Sequence, residues 1–207
     1  MSNHLVRPDV RLARWLVALL MFCSLPLHAD EAANWRVWMD AKFMRVPTAQ
    51  AIPNAEKTVL VPGRLENGEL VAFSKAEWEN LGVSWEEFLK RAKTNAAAEL
   101  ASLKPEYERD RKKVITYAMI KAEEPIVSGV VLSPKFLELF KDTLGPKVLV
   151  VVPNRFTAYV FPRLASTYRE YSPGVFADYR ATAHPVSVEV FELSAAGLTA
   201  IGAYEEP

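Results

Sequence analysis

Cysteine and histidine are scarce: the 207 residues carry one Cys and three His. Cys23, His4 and His28 all fall in the first 29 residues, which leaves His184 alone beyond them. Past residue 29 the chain therefore has no thiol for a disulfide, a thiolate zinc site, an iron–sulfur cluster, a haem attachment or a nucleophile. One imidazole falls short of the two or three that a catalytic zinc usually takes. Glycine is sparse too, at 8 residues, and no Walker-type loop, Rossmann fingerprint or G-x-S-x-G elbow occurs. Lys+Arg and Asp+Glu balance at 25 each, so there is no basic excess to neutralise phosphates and nucleic acid is not an expected partner. Carboxylate chemistry, an oxygen-ligated Ca²⁺ or Mg²⁺ site, or binding without catalysis survive. Elimination favours binding, and no catalytic, cofactor-binding or metal-ligating residue is assigned.

What is present begins with an address. Arg7, Arg11 and Arg14 precede an apolar run, Trp15 to Leu25, interrupted only by Ser24 and broken by Pro26. Ala29 then offers a small residue before Asp30 and Glu31, the pattern of a secretory signal cut after Ala29. The run is shorter than the roughly 20 apolar residues of a membrane span. A buried N-terminal helix is the competing reading. Phe22, bulky beside Cys23, argues against a lipoprotein. The expectation is a periplasmic or secreted protein of residues 30–207, net −2 after three arginines and one aspartate leave with residues 1–29.

Along that chain, residues 30–57 read as an N-terminal arm and loop, helical or extended around Trp35-Arg36-Val37-Trp38 and broken by Pro47 and Pro53. Residues 58–207 read as a single domain. Thr58 to Val61 is a strand, Pro62-Gly63-Arg64 a turn, and Asn67-Gly68 a hairpin signal before the strand Leu70 to Phe73. Ser74 with Glu77, and Ser84 with Glu87, mark two helix starts. The second carries the apolar stripe Trp85, Phe88, Leu89, Ala92, Ala96, Leu100, Leu103. Residues 106–113 read as solvated charge, Val114 to Ile120 and Ile126 to Leu132 as strands, and Ser133-Pro134 as a further helix start. Val148 to Val152 is apolar throughout, as in a strand covered on both faces. Phe156 to Phe161 follows as a strand, then a short helix near Pro173 to Arg180 and a hairpin of Val186 to Leu193 with Leu198 to Tyr204. Strands in close pairs, separated by helices, predict an α+β fold: a largely antiparallel sheet with three to four packing helices.

One short pattern recurs weakly. Leu60-Val61-Pro62-Gly63-Arg64 and Val151-Val152-Pro153-Asn154-Arg155 share one plan at an offset of 91 residues. A duplicated hairpin-plus-helix unit, in halves 58–104 and 148–182, explains the echo; so does generic turn chemistry. Under duplication Arg64 and Arg155 occupy equivalent turns and flank one cleft as an anion clamp. Otherwise they are two turn arginines facing solvent or pairing locally.

The segments SKAEWENLGVSWEEFLKRAKTNAAAEL (74–100) and LSPKFLELFKDTLGPKVLVVVPNRFTAYVF (132–161) give residues 70–161 a family likeness. The stretch resembles the uncharacterised bacterial YtpQ-like family, in which a comparable helix precedes a strand pair, a helix and a strand ending near a Pro or Asn turn. The resemblance implies an α+β fold and supplies no activity or site residue. The export signal departs from that pattern, so a cytosolic role does not carry over.

Four further features need weighing. His184, between Ala183 and Pro185, is a general base or, more simply, a loop histidine before a strand. Glu123-Glu124 and Glu205-Glu206 suggest paired carboxylates, but neighbours in an extended chain face opposite ways, which favours solvated charge. Among the aromatic residues Tyr159, Phe161, Tyr168, Tyr171, Phe176 and Tyr179, the pair Tyr168 and Tyr171 is the expected exposed contact for a partner. Binding residues on this reading are Arg64, Arg155, Tyr168 and Tyr171. The function expected is an exported noncatalytic module, adaptor or immunity-type, that binds a protein partner or small ligand in the cell envelope. A cation-assisted carboxylate hydrolase and a structural envelope protein are the alternatives.

Overall fold

A computed structural model describes residues 31–206. The expected cleavage after Ala29 and the apolar run before it lie outside the described residues. The α+β class is the one adopted: among the described residues five helices accompany antiparallel strands divided between two sheets. Among the described residues no helix is long and apolar enough to cross a membrane.

The first sheet is organised by one long strand. β1 (Trp35–Ala41), β2 (Gln50–Ala51), β3 (Thr58–Glu66) and β4 (Glu69–Ala72) make it up. β3 pairs with β1 along one edge and with β2 and then β4 along the other. The second sheet runs β10–β9–β7–β8–β6–β5, with β5 (Glu106–Arg109), β6 (Ile115–Lys121), β7 (Val148–Asn154), β8 (Thr157–Pro162), β9 (Glu189–Ser194) and β10 (Gly197–Ala203). β7 lies inside this sheet and every one of its residues is buried, as its unbroken apolar run predicts.

Several sequence expectations give way. The arm at residues 30–57 is not peripheral: β1 is a core strand, and the compact unit begins at Asn34. Both faces of Trp35–Ala41 are covered, so no alternation marks it as a strand. Pro62-Gly63-Arg64 is not a turn but the middle of β3. The Pro62 carbonyl accepts from Phe73 N–H at 3.1 Å, which places the missing Pro62 N–H on the same edge. There β2 pairs with β3 no further than Leu60 and β4 ends with Ala72 opposite Gly63, so Pro62 removes no ladder bond. The real turn is Asn67-Gly68, both at positive φ, as a two-residue hairpin requires.

Ile126 to Leu132 is also not a strand. It contains the single helical turn α3 (Val127–Val130), wholly buried and packed on β1 and β8. The solvated charge read at 106–113 includes a short edge strand at 106–109, its charged residues exposed, and those charges discourage pairing with another chain.

The helix starts are as read. Ser74 and Glu77 close a full capping box on α1 (Lys75–Leu81), and the Ser84 hydroxyl caps α2 (Trp85–Leu100). α2 buries Phe88, Ala92, Ala96 and Leu100 against β1, α3 and α4 (Pro134–Phe140). Phe88 gathers Trp35, Phe73, Trp78 and Trp85 around it, with ring centroids 5.0–6.3 Å away. α5 (Ser172–Arg180) packs on β7.

The α1 capping box is pH-sensitive. Hydrogen bonds from Ser74, side chain and backbone, and then from Arg64 hold the Glu77 carboxyl down at about 2. Its folded pKa lies below the unfolded value, so its stabilisation is complete above the ordinary value of 4.5 and is lost as pH falls toward 2. Thermal midpoints of Glu77→Gln and the unaltered chain therefore differ most near neutrality and converge across that window. A constant difference down to pH 2 contradicts this origin.

Candidate functional site

The two arginines do not flank one cleft. Arg64 lies opposite Trp35 in the β1–β3 register and pairs with Glu66 at 2.8 Å and Glu77 at 2.9 Å. Those two carboxylates raise its pKa. Arg155 pairs instead with Asp40, five residues further along β1 and about 17 Å away at strand rise. The hairpin-then-helix order does occur twice, but Arg64 is inside a strand and Arg155 is in the β7–β8 turn. Equivalent turns are therefore not what they occupy.

Arg155 is a tie between the sheets. Its Nη2 donates to Asp40 Oδ2 at 2.7 Å, with the two side chains only 11% and 4% exposed. Asp40 also accepts from Trp38 Nε1 at 3.1 Å and from the Ala41 N–H at 2.9 Å. The Arg155 carbonyl receives Val127 N–H at 2.9 Å, and its own N–H donates to the His184 carbonyl at 3.3 Å. Arg155 Nε and Ser128 Oγ are buried without partners among the described residues. A guanidinium this enclosed cannot double as an open anion clamp.

Tyr168 and Tyr171 are half-buried, contrary to the exposure expected of them. Tyr171 lies 4.6 Å from Tyr117 and 5.6 Å from Phe161, and Tyr168 lies 5.8 Å from Tyr204. They close the edge of a core cluster that includes Leu149, Tyr159 and Val190. Burial, and then a 2.6 Å hydrogen bond to Asp178, pushes the Tyr159 hydroxyl upward, and burial does the same to Tyr204. These tyrosines stay neutral donors near neutral pH. His184 lies in the loop before β9, its ring 5.9 Å from Phe156.

A concavity beside α5 involves none of the four residues singled out by sequence. It is a groove of about 450 Å³ bounded by Lys42 and Phe43 at the start of a 3₁₀ turn, the loop before β3, α5 and the chain entering β9. Phe43, Phe176, Tyr179, Val186 and Val188 supply apolar walls; Lys42, Lys57, Glu56 and Glu206 supply charge. Glu206 is tied to Arg180, which stacks over Phe176 at 5.3 Å.

Glu189 fixes the rim of this groove from beneath. Its carboxylate is buried and accepts from Glu56 N–H at 2.8 Å, Lys57 N–H at 3.2 Å and the Thr58 hydroxyl at 2.5 Å. Three donors on one carboxylate satisfy it without a cation, so its role is to pin the loop. Sequence reasoning missed the groove because its parts come from five separated segments. The one local clue is Lys42-Phe43-Met44-Arg45, two large apolar residues between two basic ones just before Pro47.

Among the described residues no group of three or more His, Cys, Asp or Glu side chains is arranged to hold a metal ion. No family model matches the chain, and neither a curated protein nor a solved structure matches it.

Proposed function

We propose that this chain is an exported, noncatalytic binding module of the cell envelope that seats a small amphipathic ligand in the groove beside α5. The observation that carries the reading is a concavity of ligand size with apolar walls and both signs of charge on its rim. Small-molecule sites have this character: apolar surface supplies affinity and a few polar groups fix orientation. The rim is pre-organised, since Glu189 holds residues 56–58 and Lys42 N–H donates to the Lys57 carbonyl at 2.8 Å. Less ordering is then lost on binding. The envelope address rests on the residue 1–29 pattern, and kinship with YtpQ-like proteins rests on the pattern over 70–161.

The test has two arms. Exported product begins at Asp30 by mass spectrometry; an intact Met1 start removes the address. Titration with a panel of amphiphiles, followed by amide chemical shifts, moves resonances of residues 42–43, 56–57, 176–179 and 186–188. Tyr179→Ala weakens that binding about tenfold, the loss expected of an aromatic wall. Shifts confined to other surfaces, or equal binding by the variant, refute the groove. A soluble protein whose interface maps to the groove replaces the small ligand with a partner.

A further inference from the structure

We propose that the Lys42–Arg45 turn is a membrane-docking tip that inserts into an anionic lipid surface. Phe43 and Met44 are 62% and 55% exposed, adjacent in sequence, and among the few large apolar side chains left in water. A tight turn holds them out. Lys42 N–H donates to the Lys57 carbonyl at 2.8 Å, Arg45 N–H donates to the Lys42 carbonyl at 3.1 Å, and Arg45 is left-handed at φ 53. A non-glycine residue in that region is a cost the surrounding structure imposes.

The charge around the tip matches a lipid leaflet. Lys42 and Arg45 bracket the two apolar residues, and Lys57 lies across the ladder from Lys42, where Ala41 and Thr58 are paired next door. All three are exposed and none has an ion-pair partner among the described residues. Asp40, the carboxylate beside them in sequence, is buried against Arg155. Glu56 and Glu206 share the surface of Lys42 and Lys57, but Glu206 is already paired with Arg180, so Glu56 alone is set against the three cations and a local excess of two positive charges is left. Like charges placed opposite one another repel, and an anionic surface relieves that repulsion. Apolar side chains entering the acyl boundary with cations at headgroup level is how peripheral proteins hold membranes. Two adjacent exposed apolar residues bracketed by cations favour a bilayer, whose acyl boundary and anionic headgroups meet both features at once.

This inference goes beyond the groove reading and is separable from it, because Met44 and Arg45 do not line the groove. The purified chain is sedimented with vesicles of phosphatidylcholine alone and with phosphatidylglycerol added. Binding is expected to need the anionic lipid and to weaken with salt. Met44→Ser with Arg45→Glu lowers it at least about fivefold, the equivalent of one basic residue near the surface, with the thermal midpoint unchanged. Tyr179→Ala leaves vesicle binding intact, and the tip variant keeps its groove ligand. Equal sedimentation of the tip variant and the unaltered chain overturns the proposal, as does absence of vesicle binding. Tip-dependent capture of one soluble protein without vesicle binding also overturns it, and reassigns the tip to that protein.

Discussion

Replacing Asp40 with alanine lowers stability by about 3–5 kcal/mol, the range for stripping one partner from a buried ion pair. The reason is what stays behind. Arg155 is 11% exposed at its side chain, its Nη2 bond to Asp40 is lost, and its Nε already has no partner among the described residues. Trp38 Nε1 and the Ala41 N–H lose their acceptor as well. Asp40→Leu combined with Arg155→Met recovers most of the loss, because apolar replacement removes both desolvation penalties at once. Urea unfolding of the two single variants and the double variant forms the cycle that reads the coupling. A loss under about 1 kcal/mol for Asp40→Ala, or a double variant as unstable as the singles, means Arg155 reaches solvent and the tie between the sheets is not made there.

The parts of the fold legible in sequence are those whose cause is local. Ser74 with Glu77, and Ser133 with Pro134, announce helix starts through chemistry within one turn, and α1 and α4 begin there. Val148 to Val152 announces a doubly covered strand because no polar residue interrupts it. The parts misread are those where tertiary context overrides local preference. Ile126 to Leu132 is rich in β-branched residues and reads as a strand. Lodged against β1 and β8, it takes a helical turn, which satisfies buried backbone groups internally: Val130 N–H donates to the Ile126 carbonyl and Val131 N–H to the Val127 carbonyl.

The candidate site is less legible still, for a geometric reason. Glu189 and the loop it pins are 131 to 133 residues apart in sequence, and no local spacing encodes such a contact. Arg64 and Arg155 drew attention because they share a Pro-turn-Arg plan. Each turns out to be consumed by carboxylates of its own neighbourhood. A cation that stands out in sequence is informative about binding only after its partners in space are known.

Gly63→Ala is expected to be the most damaging single methyl that can be added to the first sheet, at about 3 kcal/mol, the upper end for overpacking. A Cβ there meets the Val71 carbonyl oxygen at 2.2 Å and two atoms of the Trp38 indole at 2.7 and 2.8 Å. Real Cβ atoms do not approach so closely, and the oxygen belongs to the backbone of β4, so no rotamer change relieves it. The strand pair β3–β4 must separate or shift register. Gly68→Ala provides the comparison: its φ of +82 strains an alanine, but open space surrounds it, so about 1 kcal/mol is expected. Trp38→Leu placed over Gly63→Ala removes the ring contact and leaves the carbonyl contact, so it rescues little. Chemical unfolding of these variants separates two descriptions of residues 62–64. If they were an exposed turn, Gly63→Ala would cost no more than Gly68→Ala; if they are the centre of a strand wedged between Trp38 and β4, it costs severalfold more.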